Sequence, residues 1–531
     1  MKSTNTWERF KQWQVNVPAL GFSFDFSRMD FVESDLQGLD SKLRGAFEAM
    51  KELELGAIAN PDEGRQVGHY WLRAPELAPD ERTRAEIVDT LESIKTFCDG
   101  IHNGRCTGSG GPFKNLLIIG IGGSALGPQF VSRALGSVAS DKMRLEFFDN
   151  TDPDGIENVL DSLKGQLNQT LAVVISKSGG TKETRNGLLE AARAYEAAGL
   201  SFPEHAVAIT GRNSQLDSTA ADQKWLKRFP MWDWVGGRTS ELSAVGLLPA
   251  ALQGIDIDEF LAGARLMDEA TRGAALNSNP AAMMAALWYL SGDGEGSKNM
   301  VIVPYKDRLE LFSKYLQQLV MESIGKDKSI AGALVNQGLS VFGNKGSTDQ
   351  HAYIQQLRDG RNDFFATFIQ VLQDRSGADL MVEDGVTTGD FLFGFLVGTQ
   401  EALSGNDRES MSITVPRVDA RTVGALIACF ERAVGFYASL IDINAYHQPG
   451  VEAGKKAAGE VIDLQGRIMA CLRGEAGKGK TAVELVALLG GGDSPEIVFR
   501  ICEHLACNRP NQVMRAEGSD PFEARYSVDC S

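Results

Sequence analysis

Two apolar runs restrict the fold of this chain more than any other feature. Each ends in a loop of small and hydroxyl residues and is followed by a helical pattern. Asn115 to Ile119 leads into Gly120-Ile-Gly-Gly-Ser-Ala-Leu-Gly127, and Leu171 to Ile175 leads into Ser176-Lys-Ser-Gly-Gly-Thr-Lys-Glu-Thr184. Short, unbroken apolar runs suit parallel strands buried on both faces. A turn of this composition at a helix start collects free N–H groups in the field of the helix dipole, which favours an anion. Gly123 lets the backbone approach a ligand closely, Ser124, Ser176, Ser178 and Thr181 supply hydroxyl donors, and Lys177 supplies a cation. Three hydroxyls and a lysine within residues 176–181 suit a phosphomonoester better than a pyrophosphate bridge.

The 531 residues exceed what one hydrophobic core supports, so two or three domains are expected. A formal net charge of −17 argues against nucleic acid or an anionic membrane as the main partner. The 7 cysteines are scattered, and Cys502 and Cys507 have no matching pair that would build a zinc site. A reducing compartment follows as the expectation. The N-terminus shows no apolar core of signal-peptide length and no stretch of eighteen apolar residues occurs, so a cytoplasmic protein is expected.

Residues 1–110 read as a largely helical arm, with amphipathic stretches from Leu39 to Glu54 and from Glu81 to Phe97. Strand and helix patterns then alternate across 111–285: Leu116 to Gly120, Ser124 to Leu135, Met143 to Asp149, Leu171 to Ile175, Lys182 to Ala198 and His205 to Thr210. A second alternation occupies 286–456, with strands at Met300 to Pro304, Leu339 to Gly343 and Phe364 to Leu372, and helices at Leu309 to Ser323 and His351 to Leu357. The fold class is therefore α/β, with two doubly wound parallel-sheet domains in tandem. The long apolar pattern from Val418 to Leu440 predicts a helix packed between them, and residues 457–531 read as a helical segment with a loop-rich tail after Asn508.

Several motifs have more than one reading. Gly120-x-Gly122-x-x-Ala125, with Asp149 closing the next strand, formally fits a dinucleotide fingerprint, but the hydroxyls favour a terminal phosphate. Gly474-Glu-Ala-Gly-Lys-Gly-Lys-Thr481 fits the P-loop pattern, yet a helical pattern precedes it where a buried strand is required, and Thr481 to Glu484 reads as a capping box. Glu322 ends an apolar helix, where partial desolvation would suit a general base, although a solvated face is the first local reading. His351 at a helix start reads alone as structural or surface. Arg238 follows a Gly-Gly turn that can push its guanidinium into a cleft. Lys455 and Lys456 share a glycine-punctuated turn after Gln448, and either ammonium could face inward.

Taken in order, these segments resemble the phosphoglucose isomerase family. The two loops resemble its sugar-phosphate loops, and Val235-Gly-Gly-Arg-Thr-Ser-Glu-Leu-Ser-Ala-Val-Gly-Leu247 is similar to its arginine segment. Met321-Glu-Ser-Ile-Gly-Lys326, Ser347-Thr-Asp-Gln-His351 and Gln448-Pro-Gly-Val-Glu-Ala-Gly-Lys455 resemble its base, histidine and lysine segments. The resemblance implies two sugar isomerase (SIS) domains, a homodimer with shared active sites, and an aldose–ketose isomerisation of a hexose 6-phosphate without cofactor or metal. It further implies that Gly123, Ser124, Ser176, Lys177, Ser178, Thr181 and Gln448 hold the phosphate. Glu322 would move the proton, Arg238 would stabilise the enediolate, and His351, from the neighbouring subunit, and Lys455 would serve ring opening. Gly179-Gly180 and Ile324 depart from residues frequent in the family, which bears on affinity and substrate range rather than on reaction class. A dual isomerase accepting mannose 6-phosphate and a non-catalytic SIS-domain sensor are the alternatives. The sensor would have no need of Glu322, Arg238, His351 and Lys455 together.

Overall fold

The computed structural model describes residues 6–528, which fall into two compact units divided between His447 and Gln448. The first unit holds two large sheets and two short two-stranded ones. Strands β1 (Gln14–Val17) and β2 (Phe22–Arg28) form an antiparallel hairpin near the N-terminus. The first sheet then follows: β3 (Asn115–Ile119), β4 (Arg144–Phe148), β5 (Thr170–Ser176), β6 (Ala206–Thr210) and β7 (Lys227–Pro230), in spatial order β4-β3-β5-β6-β7 and parallel throughout. Every residue of β3, β5 and β6 is buried, as the unbroken apolar runs require.

The second sheet contains β8 (Asn299–Pro304), β9 (Val341–Phe342), β10 (Phe364–Val371) and β11 (Ser410–Val415), in spatial order β1-β2-β11-β10-β8-β9. Its four later strands are parallel, and β2 adds to the edge of β11 in antiparallel sense. The helical reading of the first hundred residues holds for Asp40–Glu54 and Glu81–His102. The β1–β2 hairpin is an addition to it. Phe22-Ser-Phe-Asp-Phe alternates buried and half-buried residues, the period-2 signature of a strand. The strand expected from Leu339 to Gly343 is reduced to two residues, and the helix expected from His351 to Leu357 begins later, at Ile354–Asp359, after a 3-10 turn.

Helix Ala420–Leu440 passes through the core, with 94% of its most apolar window buried. Small residues let it touch helix Ile257–Ala270: a Cβ built on Gly263 would lie 1.8 Å from the Arg421 carbonyl, and one on Gly424 would lie 2.0 Å from that of Phe260. A buried ion network joins the same helices to the N-terminal region, with Asp268 accepting from Arg73 at 2.8 Å and from Arg432 at 2.5 Å, and Glu431 paired with Arg73.

The second unit comprises helices Pro449–Gly474, Ala482–Leu488 and Pro495–Asn508 and a hairpin of Met514–Ala516 with Arg525–Ser527, around its own apolar core. The P-loop-like segment follows a helix, and Thr481 and Glu484 form a reciprocal capping box. Its glycines and lysines are therefore a connector.

Candidate active site

The first sheet changes direction between β3 and β5, because the chain runs from β3 outward to β4 and returns to β5 on the other side. Loops at the carboxyl ends of two such strands diverge and leave a crevice, the usual ligand position in an open parallel sheet. The two sequence-predicted loops lie there, Gly120–Gly127 after β3 and 177–181 after β5.

The second loop organises itself. Ser176 Oγ accepts from the Gly179 amide at 3.1 Å, Ser178 Oγ accepts from the Gly180 amide at 3.1 Å, and Ser176 Oγ lies 3.4 Å from Thr181 Oγ1. Gly179 has φ +72°, and a Cβ there would lie 2.4 Å from the Leu216 amide nitrogen, so this position requires glycine. Thr181 begins helix Lys182–Ala197. Lys177 does more than offer a cation. Its Nζ donates to the Asp233 and Val235 carbonyls, both at 3.2 Å, and so ties the loop to the segment carrying Arg238. Burial lowers the pKa of this ammonium.

The first loop is positioned by close packing. A Cβ on Gly123 would lie 2.0 Å from the Gly237 carbonyl oxygen and 3.0 Å from the Arg238 nitrogen, so only glycine allows this approach. Ser124 is half-buried beside it. Asp149, the residue a dinucleotide would need for its ribose, instead accepts from Gln129 at 2.7 Å.

Arg238 is almost fully buried, and its guanidinium is bound on three sides. Nη1 pairs with Glu322 Oε2 at 2.8 Å, Nε donates to Ser323 Oγ at 2.8 Å, and Nη2 donates to the carbonyls of Ala445 and His447 at 2.8 and 2.9 Å. A planar five-donor fork held this way has one orientation. Glu322 closes a π-helical turn, Gln317–Glu322, a distortion frequent at functional sites. Gln318 Nε2 donates to the same Oε2 at 3.3 Å, and Oε1 has no partner among the described residues. Lys326 crosses the end of this helix, its Nζ donating to the carbonyls of Glu322 and Ser323 at 2.7 and 2.8 Å. Burial, then the nearby Arg238 charge, lowers the Lys326 ammonium to about 8.

The fold thus brings together Gly123, Arg238 and Glu322 and, through Lys177, the second loop. A profile of the phosphoglucose isomerase family matches residues 25–469. The chain belongs to that family. It is an isomerase, and relatives named glucose-6-phosphate isomerase resemble it over nearly their whole length. Those of Geotalea daltonii and Geobacter sulfurreducens are each 56% identical, over 527 and 530 residues, covering 99% of this chain and 99% and 100% of theirs. Among solved structures, a glucose-6-phosphate isomerase from Chlamydia trachomatis superposes with a TM-score of 0.79 at 28% identity, covering 87% of this chain and 91% of its own. Because both bacterial relatives align past residue 469, the C-terminal segment of the isomerase is shared with them.

His351 is exposed, in a 3-10 turn after β9, and makes no hydrogen bond or ion pair with Glu322 or Arg238 among the described residues. Gln448 stands at the N-cap position of helix Pro449–Gly474 of the second unit, without a side-chain capping hydrogen bond. Lys455 lies in that helix, and its side chain falls outside the described residues. Sequence reading missed Gln318, Ser323 and Lys326. Gln318 precedes Glu322 by one helical turn, so an i, i+4 pairing was available as a signal. Lys326 follows it by the same spacing.

Proposed function

We propose that this isomerase interconverts glucose 6-phosphate and fructose 6-phosphate through a cis-enediolate. The observation that carries the reading is the Arg238–Glu322 pair, 2.8 Å apart, with Gly123 of the phosphate loop packed on the arginine turn. The phosphate occupies the crevice between the loops, held by Gly123, Ser124, Ser176, Ser178 and Thr181, with Lys177 and Gln448 contributing. Fixing this end presents C1 and C2 to one carboxylate. Glu322, with Oε2 held by Arg238 and Gln318, uses Oε1 to take the proton from C2 of the open-chain aldose. The C–H electron pair forms the C1–C2 double bond and the carbonyl oxygen becomes the oxyanion that Arg238 stabilises. The O2 hydroxyl proton passes to O1 as the C2–O2 carbonyl forms, and returning the carbon-bound proton to C1 gives the ketose, so no bond change in this sequence needs a redox partner.

His351 and Lys455 serve ring opening, His351 acting in the site of a second subunit. Its turn supports that reading. Gln350 donates to the Phe395 carbonyl at 3.4 Å, and helix Thr388–Ser404 exposes Phe391, Phe393, Phe395 and Val397 beside Leu380 and Met381. A run of exposed aromatic side chains of this size suits burial against a second copy. The division into an N-terminal arm, two sheet domains and a C-terminal segment is kept as the functional one.

A coupled assay of fructose 6-phosphate conversion by the purified chain, without metal or nucleotide, tests the reading. Turnover in that mixture is the expected result, and its absence overturns the assignment.

A further inference from the structure

Glu241 is a carboxyl in a place where the fold offers it no protein partner. It is 2% exposed, and neither side-chain oxygen has a hydrogen-bond partner among the described residues. The group is pressed between two glycines. A Cβ on Gly127, which ends the first phosphate loop, would lie 2.1 Å from Oε2, and one on Gly246, in helix Ala244–Gln253, would lie 2.5 Å from Oε1. It therefore fills the seam between the first loop and the segment that carries Arg238, three residues before it.

A leucine would fill such a slot without demanding hydrogen bonds, so a carboxyl there needs a polar ligand. Two other buried side chains carry unpartnered polar atoms. Tyr315, which stacks on Phe130 of helix Leu126–Leu135 at 5.7 Å, leaves its hydroxyl unpartnered, and Glu431, held through one oxygen by Arg73, leaves Oε1 unpartnered. Both are close enough to interact electrostatically with Glu241: Glu431 adds to the burial that raises the Glu241 pKa, and Glu241 raises that of Tyr315. No group of His, Cys, Asp and Glu among the described residues could hold a metal ion. The ligand that matches unpartnered buried acceptors and a hydroxyl is water.

We propose that Glu241 is a positioning residue of the isomerase, whose carboxyl, through internal water shared with Tyr315 and Glu431, holds the Gly120–Gly127 loop against the Arg238 turn. In its protonated form it is both donor and acceptor, and can satisfy water and a neighbouring carboxylate together. The proposal rests on the isomerase reading, since its purpose is to keep the phosphate grip in register with the reacting carbons.

Two measurements on the whole chain test it. A high-resolution crystal structure is expected to show water within hydrogen-bond distance of the Glu241 carboxyl; a dry carboxyl overturns the proposal. In steady-state kinetics, Glu241→Leu is expected to lower kcat about tenfold with KM within about threefold, because a misplaced grip costs turnover before affinity. Glu241→Gln, which keeps donor and acceptor, is expected to restore kcat to within about threefold of the unsubstituted enzyme. Leucine and unsubstituted enzymes with equal kcat and KM overturn the proposal. Should Glu241→Leu fail to fold, Tyr315→Phe decides: a kcat about threefold lower supports the shared water, and an unchanged kcat overturns it. An unsubstituted enzyme inert toward the sugar would overturn the isomerase reading instead, while the water density still reports on Glu241.

Discussion

The two loops at the carboxyl ends of β3 and β5 are held by different means. The loop after β5 is held from within, by the amides of Gly179 and Gly180 on the hydroxyls of Ser176 and Ser178, and Lys177 ties it to two carbonyls of another segment. The loop after β3 is held from outside, by the fit of Gly123 on Gly237 and of Gly127 on Glu241. Redundant hydrogen bonds tolerate the loss of one member, whereas steric fit does not tolerate an added carbon. Beyond both loops, the reacting end depends on single charged atoms with no substitute.

That gradient orders the expected effects. Glu322→Gln should bind sugar phosphate but lose at least about 10²-fold in kcat, the usual scale for a positioned general base; near-normal turnover would show that the base is misassigned. Arg238→Ala should lower kcat by about 10²-fold and raise KM less, since its charge partner forms in the transition state. The reverse split would make it a ground-state binder. Gly123→Ala, which places a carbon 2.0 Å from the Gly237 oxygen, should cost about tenfold in kcat/KM or more, and an active Gly123→Ala enzyme would break the steric account of the first loop. Ser178→Ala should raise KM only about two- to fivefold, the worth of one hydrogen bond among several. A larger loss there would mean that the second loop is not redundant.

Lys326 supplies the smallest effect and a distinctive one. Its ammonium is present below about pH 8 and is lost above it, so kcat/KM should fall on the alkaline side with that midpoint. Lys326→Arg, which stays charged, should move this limb upward; an unmoved limb assigns it to another group. Stability runs the other way. With the folded pKa below the unfolded value of 10.5, the unfolded chain binds more protons between about pH 8 and 10.5, so this group's contribution to stability rises with pH in that window.

Parts of the molecule were legible in order of how local their cause is. The strands β3, β5, β8 and β10 declare themselves because burial on both faces demands unbroken apolar runs. The capping box at Thr481 could be read directly, and it removed the P-loop reading without recourse to the fold. The β1–β2 hairpin was missed although Phe22-Ser-Phe-Asp-Phe alternates, because strands so near an N-terminus acquire their partner, β11, almost four hundred residues later. Lys177 was read as a phosphate ligand from its neighbours in the loop, and its bonds to Asp233 and Val235 lie on a different segment.

By itself the chain determined its reaction family and the residue types of its chemistry, because parallel strands, anion-binding turns and capping boxes are written in neighbouring residues. Only the tertiary structure decided which atom of Glu322 is held, which carbonyls orient Arg238, and that Lys326 and Glu241 stand behind them. The Arg238 contacts join residues 85 to 209 positions apart, and electrostatics and close packing act across space rather than along the chain.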